Sequence, residues 1–288
     1  MASKPLPLAK PKSRPDFATL GGLVLSFGGI LGGLLLEGGN IRDVAQITAL
    51  MIVLGGTLGA VLVTTPMPVV MQAARKMKHL FFDSAPPLQA AIDDIIGFAT
   101  KARKHGLVSL EQEADQVHDP FLKKALNLAV DGTDMEAIRN MMEIEISLEE
   151  SRGEAEAKVF EAAGGYAPTV GIIGAVLGLI QVMKHLENIE EVGRGIAVAF
   201  VATVYGVGSA NLFFLPAAYK LRARLHRSIQ IKELLLEGVL SIIEGLNPKL
   251  IRVKLEAYTR SEQAASKPGH AAAGKVQSPA AERAPSEG

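Results

Sequence analysis

The sequence lacks two residue types altogether, because its 288 residues include no cysteine and no tryptophan. Without cysteine the chain can form no disulfide, no thiol nucleophile and no cysteine-ligated metal site. Its six histidines follow no spacing typical of metal ligands, so we expect no bound metal and no cofactor. Thirty basic and thirty acidic residues balance each other, and this balance gives no indication of a nucleic acid partner.

Catalytic motifs are missing as well. The chain has no GxxxxGK[ST] phosphate-binding loop, no GxSxG nucleophile elbow and no HExxH zinc motif. The glycine pairs in GGILGG and LGGTLG lie inside apolar runs, where close packing of helices accounts for them better than phosphate binding does. We therefore predict that the chain is not an enzyme and has no catalytic residue.

Charged residues are absent from four long apolar runs, which set the fold class. A helix rises about 1.5 Å per residue, so about 20 apolar residues can cross a hydrocarbon core about 30 Å thick. Short charged links join the runs into two pairs. We predict an all-α, polytopic membrane protein with two transmembrane hairpins, at residues 17–71 and 162–219. The runs are Phe17 to Leu36, Val44 to about Met71, Ala162 to Met183 and Gly195 to Tyr219.

Small residues form a stripe on each of the last two runs. On the fourth run Ala199, Thr203, Gly206 and Ala210 recur at spacings of three or four residues. Small residues let helix backbones approach closely in a membrane, where water supplies no hydrophobic drive. We expect each of these helices to pack against a partner helix. The stripe on the third run consists of Gly164, Ala167, Gly171, Gly174, Ala175 and Gly178.

The distribution of basic residues predicts the orientation, because lysine and arginine are retained in cytoplasmic loops. Basic residues crowd before the first run, after the second and after the fourth, whereas residues 37–43 and 184–194 hold more acids than bases. We therefore expect four spans with both termini in the cytoplasm.

The segment from residue 72 to 161 separates the two hairpins and is predicted to be a helical cytoplasmic domain. One helix should stop at Gly106, and another should begin with a cap at Ser109. The run from Met135 to Glu161 should continue as one long helix into the third span. Six of its glutamates form either a solvated face or an electrostatic docking surface, and both interpretations remain open. They are Glu143, Glu145, Glu149, Glu150, Glu154 and Glu156.

The remaining segments flank the spans. Residues 1–16 form a basic leader with four prolines, and residues 261–288 are rich in Ala, Ser, Pro, Gly and Lys, so we predict disorder in both. Residues 220–260 are amphipathic. We expect them to form a cytoplasmic helix that returns along the membrane as far as Gly245 to Pro248.

The four runs contain no Asp, Glu, Lys, Arg or His, although ion pathways usually place such groups inside the membrane. Either the chain conducts nothing, or the carboxylate comes from another subunit. The small-residue stripes, with the hydroxyls of Thr169 and Thr203 and the adjacent Tyr205, are suited to surround a foreign helix.

Three motifs resemble one known family. APTVGIIGAVLGLIQVM (Ala167 to Met183) and AFVATVYGVGSANLFFLP (Ala199 to Pro216) resemble the third and fourth transmembrane helices of the MotA/PomA family of flagellar stator subunits, within the MotA/TolQ/ExbB proton channel superfamily. KARKHGLVSLE resembles the rotor-facing motif of that family. The resemblance covers roughly residues 17–258. It implies a multi-pass protein of the bacterial inner membrane that uses ion flow to turn the flagellar rotor.

The resemblance also implies roles for particular residues and partners. Pro168 and Pro216 match two prolines associated with ion flow and torque, although each could simply begin or end a helical turn. Arg103 and Glu111 match the charged pair that meets the FliG-like switch protein of the rotor. A MotB-like single-span subunit would supply the proton-carrying aspartate, and five copies of the chain would surround two copies of that partner.

The coupling ion depends on Ala175. Sodium-using relatives carry threonine both at this position and at the position of Thr203, whereas here only Thr203 remains. Protons need no coordination shell, so the resemblance favours a proton-driven motor over a sodium-driven one.

Two other functions stay open at this point. One is a TolQ/ExbB-like energiser of outer-membrane processes, although such relatives have three spans and an external amino terminus. The other is a non-conducting membrane scaffold whose glycine-rich faces only pack.

Overall fold

The computed structural model describes residues 14–83 and 88–266, and these ranges are helical almost throughout. A two-residue antiparallel pairing joins strand β1, Arg14–Pro15, to strand β2, Phe82–Asp83. Most of the predicted leader and of the predicted tail lies outside the described residues. The helices are α1 (Phe17–Leu36), α2 (Ile41–Val44), α3 (Ile47–Thr64), α4 (Met67–Lys76), α5 (Lys78–Phe81), α6 (Leu88–His105), α7 (Glu111–Gln116), α8 (Pro120–Val130), α9 (Met135–Lys184), α10 (Ile189–Ile243) and α11 (Pro248–Ser266).

Four of these helices are long and apolar enough to cross a membrane, namely α1, α3, α9 and α10. The apolar parts of α9 and α10 correspond to the third and fourth runs. The prediction of an all-α polytopic membrane protein with four spans is confirmed.

Helix α3 ends earlier than the apolar run that predicted it. The run continues to about Met71, but the helix stops at Thr64 and α4 begins only at Met67. Thr65 has an extended backbone, with φ −132° and ψ 132°. A residue that precedes proline avoids the helical region, so Pro66 accounts for the break.

The two longest helices each contain a membrane-spanning segment and continue far beyond the membrane. Helix α9 has 50 residues and therefore extends about 75 Å. It begins at a cap in which the Asp134 carboxylate accepts hydrogen bonds from the N–H groups of Glu136 and Ala137, and it runs through Pro168 without ending. The sequence predicted this continuous helix.

Helix α10 differs from the prediction. Residues 220–243 continue the fourth span in one helix of 55 residues and do not fold back along the membrane. No glycine or proline interrupts the sequence between Pro216 and Gly238. The helix gives way to a turn at Gly245, whose φ of +73° suits glycine.

Residues on both sides of the second hairpin build one core outside the membrane, which we call the helical domain. It combines α6, α8, α11, the first turns of α9 and the last turns of α10. Ile92, Phe121, Leu126, Leu235 and Ile251 are all almost fully buried in it. The helical domain therefore includes residues 229–255 as well as the predicted residues 72–161. The amphipathic end of α10 packs against α6 and α8 in this core and does not lie along the membrane.

The acidic run of α9 is not a freely solvated face, since most of its carboxylates pair with basic residues of the same chain. Glu149 pairs with Lys232 of α10. Arg222 of α10 binds Glu154 at 3.0 Å and Glu161 at 2.9 Å, and these hydrogen bonds, the one to Glu161 above all, raise the pKa of Arg222. The acidic residues thus attach α9 to α10 beyond the membrane.

The turn between α6 and α7 confirms one prediction and corrects another. Helix α6 ends at His105, and Gly106 follows with φ +82°. However, Ser109 caps no helix. Its hydroxyl donates to the Gly106 carbonyl at 2.7 Å within a 3₁₀ turn, Leu107–Leu110. Serine side chains readily bond to nearby backbone carbonyls in turns, and here that bond replaces the cap.

Candidate functional site

The seam between α9 and α10 is built from backbone held against backbone. A Cβ atom added to Gly206 would lie 2.6 Å from the Ala167 carbonyl oxygen, and one added to Gly171 would lie 2.9 Å from the Ala202 carbonyl oxygen. Only glycine allows so close an approach. The small-residue stripes of the two helices therefore pack against each other within one chain.

Helix α3 covers one side of this seam. A Cβ atom on Gly56 would lie 2.7 Å from the Val170 side chain. Val53 of α3 is buried with Val201 and Ala202 of α10. This side of the α9–α10 pair is consequently occupied.

Ala175 and Thr203 lie on the opposite side of the seam, which we call the open side. At about 3.6 residues per turn, Ala175 lies roughly 140° around α9 from Val170, and Thr203 lies roughly 160° around α10 from Val201. Both are half-buried. The Thr203 hydroxyl donates to the Ala199 carbonyl at 3.1 Å, so its oxygen lone pairs remain available as acceptors. Pro168 lies roughly 160° around α9 from Val170, so it also lies on the open side.

Tyr205 lies on the α3 side, away from Ala175 and Thr203. Its hydroxyl donates to the Val44 carbonyl and accepts from the backbone N–H of Gln46 at 3.3 Å. The phenol thereby ties the chain just before α3 to α10. Its contacts indicate a positioning role.

Thr169 and Pro216 occupy two further environments. Thr169 is exposed on α9, and its hydroxyl donates to the Tyr166 carbonyl at 2.8 Å. Pro216 follows a π-helical turn, Ala210–Phe214, and lines a groove between α10 and α1. The structure therefore brings Pro168, Ala175 and Thr203 to one side of the seam and leaves Pro216 on a different face.

Arg103 and Glu111 flank the turn at the tip of the helical domain. Both side chains are exposed, and neither forms an ion pair within residues 14–83 and 88–266. An ion pair between Lys101 and Glu113 holds α6 to α7 beside them. The two charged side chains are thus exposed to solvent on a turn that the Lys101–Glu113 ion pair stabilises, and another protein can contact them there.

Asp16 is an organising residue that the sequence reasoning placed in the disordered leader. Its carboxylate accepts from the Thr19 N–H at 3.1 Å and caps α1. It also binds Lys220 and, at 3.0 Å, Arg224 on α10. The hydrogen bond from Lys220 is the main cause that lowers the pKa of Asp16 to about 2. An acid directly before an apolar run, at an N-cap position, was the available signal.

Known proteins share this architecture along most of the chain. Residues 20–104 match the profile of the motility protein A N-terminal domain, and residues 113–234 match that of the MotA/TolQ/ExbB proton channel family. Motility protein A of Bacillus subtilis is 36% identical over 247 residues, which are 84% of this chain and 90% of the relative.

Two solved structures are also similar. The structure of C. jejuni MotAB matches with a TM-score of 0.80 at 33% identity, over 84% of this chain and 95% of that one. The flagellar MotAB stator complex from Bacillus subtilis matches with a TM-score of 0.79 at 34% identity, over 88% of this chain and 100% of that one.

The fold and the seam define a four-span subunit of a membrane ion channel. The chain belongs to the MotA/TolQ/ExbB proton channel family, in the branch of motility protein A. Because the N-terminal match is to motility protein A, a TolQ/ExbB-like energiser is not favoured.

Proposed function

We propose a mechanism for the chain as a flagellar stator subunit: a MotB-like single-span partner places its membrane aspartate against the open side, and protonation of that aspartate drives torque. The observation that carries this proposal is the chemistry of the seam. One side is filled by α3, whereas the other carries Ala175, Thr203 and Pro168, and no apolar run contains an Asp, Glu, Lys, Arg or His.

A proton crosses a membrane through titratable groups, so the missing carboxylate has to come from the partner. Neutralising a carboxylate in a low-dielectric channel changes its interactions by several kcal/mol. A change of this size shifts the balance between two ways of packing one helix against another. Each proton that enters and leaves would therefore move the partner's helix relative to the seam.

The motion reaches the helical domain through α9 and α10, because both helices continue from the membrane into that domain without a break. The ion pairs of Arg222 with Glu154 and Glu161 join the helices where they leave the membrane. Arg103 and Glu111 then contact a FliG-like rotor protein. Five copies of the chain would surround two copies of the partner, so that successive protonations turn the ring.

The proposed location is the bacterial inner membrane, with both termini and the helical domain in the cytoplasm. Basic residues support this orientation, because Arg75, Lys76 and Lys220 follow the spans at the end where the helical domain lies. The proposed coupling ion is the proton and not sodium, because Ala175 offers no oxygen beside Thr203.

Proton flux into sealed vesicles tests the proposal. The chain should leak no protons alone, should conduct when it is co-purified with the MotB-like partner, and should stop conducting when the partner's membrane aspartate is changed to asparagine. Conduction by the chain alone would refute the proposal that the partner supplies the carboxylate. If the intact complex carried no current while it still turned flagella, the proton mechanism would be wrong, and a complex that did neither would support a scaffold.

A further inference from the structure

Two adjoining cavities lie where α1 meets α10. The first is an apolar groove of about 260 Å³ along the membrane part of these helices. Gly22 and Ser26 of α1 line one wall, and Phe213 and Pro216 of α10 line the other. No residue of α1 is buried, so this helix packs only loosely against its neighbours in the described chain, although Lys220 of α10 binds Thr19 near its start.

The second cavity continues from the first at Lys220, which lines both. It measures about 780 Å³ and lies beyond the ends of the spans, between α4, α9 and α10. We call it the basic cavity, because among the residues that the structure describes its cationic lining residues outnumber its carboxylates by five to three. The cations are Lys76, Arg152, Lys220, Arg224 and Arg227, and the carboxylates are Asp16, Glu149 and Glu156.

The carboxylates of the basic cavity are already neutralised. Asp16 binds Lys220 and Arg224, and Glu156 lies 3.6 Å from Lys76. Glu149 pairs with Lys232, which is not part of the lining. Among the described residues, the carboxylates of the lining therefore leave Arg152 unmatched, and its positive charge remains for an outside anion.

Arg152 is the clearest source of that charge. It lies on α9 with an exposed side chain and forms no ion pair within the described residues. Its guanidinium can donate two parallel hydrogen bonds to a phosphate group.

We propose that the groove and the basic cavity together bind one anionic phospholipid, with an acyl chain in the groove and the phosphate headgroup in the cavity. The apolar groove opens at membrane depth and needs an apolar occupant, whereas the cavity next to it needs an anion. A phospholipid such as phosphatidylglycerol joins an acyl chain to an anionic headgroup, as the groove and the cavity adjoin at Lys220. Basic pockets at the ends of spans are suited to such headgroups. This site adds a ligand to the protein that neither ion conduction nor rotor contact requires.

Lipid binding to the full chain, purified with its partner, tests the headgroup half of the site. Native mass spectrometry in micelles should show phosphatidylglycerol retained and phosphatidylcholine lost. Arg152→Ala should weaken phosphatidylglycerol binding about fivefold, the effect of one cation near an anionic headgroup. Lys158→Ala is the matched control, because Lys158 is an exposed cation of the same helix that does not line the cavity. It should leave binding unchanged.

A second pair of variants tests the acyl-chain half. Gly22 lines the groove and Gly21 does not, yet an added Cβ meets nothing within 4 Å at either position. Both substitutions should therefore fold. Gly22→Leu fills the groove and should lower the bound phosphatidylglycerol, whereas Gly21→Leu should not.

Three results would overturn the proposal. Equal retention of phosphatidylcholine and phosphatidylglycerol would show that the cavity does not recognise the headgroup charge. Full displacement of the lipid by millimolar inorganic phosphate would identify a soluble anion as the occupant. If Gly22→Leu disrupted the oligomer while lipid binding persisted, a neighbouring subunit would fill the groove.

Discussion

Substitution of Gly206 by alanine should separate α9 from α10. The new Cβ would lie 2.6 Å from the Ala167 carbonyl oxygen and 3.0 Å from the Gly171 Cα, whereas ordinary contact begins at 3.4 Å. Both neighbours are backbone atoms and cannot rotate away, so the helices have to part by about 0.8 Å. A gap of about 0.5–1 Å already forfeits a quarter to a half of the attraction at each affected contact.

We expect Gly206→Ala to lower the free energy of unfolding by about 1–3 kcal/mol, the usual effect of an extra methyl group in a packed interior. Thermal inactivation of the purified complex, followed by size-exclusion chromatography, measures the loss. Swimming should fail as well, because the open side depends on the spacing of the same two helices.

Gly208→Ala is the matched control, since it lies one half-turn away on the same helix and its added Cβ meets nothing within 4 Å. It should leave stability unchanged or slightly raised, because alanine favours a helix more than glycine does. If Gly206→Ala proved as stable as Gly208→Ala, the close approach of α9 and α10 would be refuted.

Three further predictions concern the rotor contact, pH and the coupling ion. Arg103→Asp should abolish torque while the protein still inserts and assembles, and Lys104→Asp, with the same charge change, should do so far less; equal loss of assembled protein would contradict a rotor contact. Burial and, secondarily, the charge of Asp93 raise the pKa of Asp94 to about 6. Because this pKa is higher than in the unfolded chain, the folded chain favours the protonated carboxyl. The free energy of unfolding therefore falls as pH rises from about 4 through about 6. Asp94→Asn should then raise the free energy of unfolding by about 1–3 kcal/mol at pH 7.5 but not at pH 4, as thermal melts at both pH values would show. With Ala175 in place, swimming speed should fall with a protonophore and ignore external sodium, and the opposite dependence would show a sodium motor.

The spans could be predicted from the sequence because charge exclusion and length act locally along the chain. The long helix α9 was predictable for the same reason, since no proline and only the isolated Gly153 lie between Met135 and the third span, and a lone glycine is tolerated inside a helix. Arg103 and Glu111 have no local signal of function and were found through the family motif alone.

The other features depend on where distant segments meet, which no local pattern encodes. The small-residue stripes indicated that α9 and α10 each pack against a neighbouring helix. They did not indicate that these two helices pack against each other. The glutamates of α9 have the composition of a solvated face, and only the position of Arg222 on the adjacent helix shows that they bind within the chain. Tyr205 was assigned beside Thr203 because the two are near in sequence, yet a separation of two residues places them on opposite sides of a helix.

Disulfide trapping of the partner's membrane helix tests the central claim most directly. The chain has no native cysteine, so each engineered thiol is unique, and a disulfide forms only where two Cα atoms come within about 7 Å. Ala175→Cys and Thr203→Cys should each cross-link to a cysteine placed beside the partner's aspartate. Leu177→Cys, which is equally a membrane position but lies roughly 160° around α9 from Ala175, should not. Cross-linking through Leu177→Cys alone would place the partner on the wrong side of the seam and contradict the account.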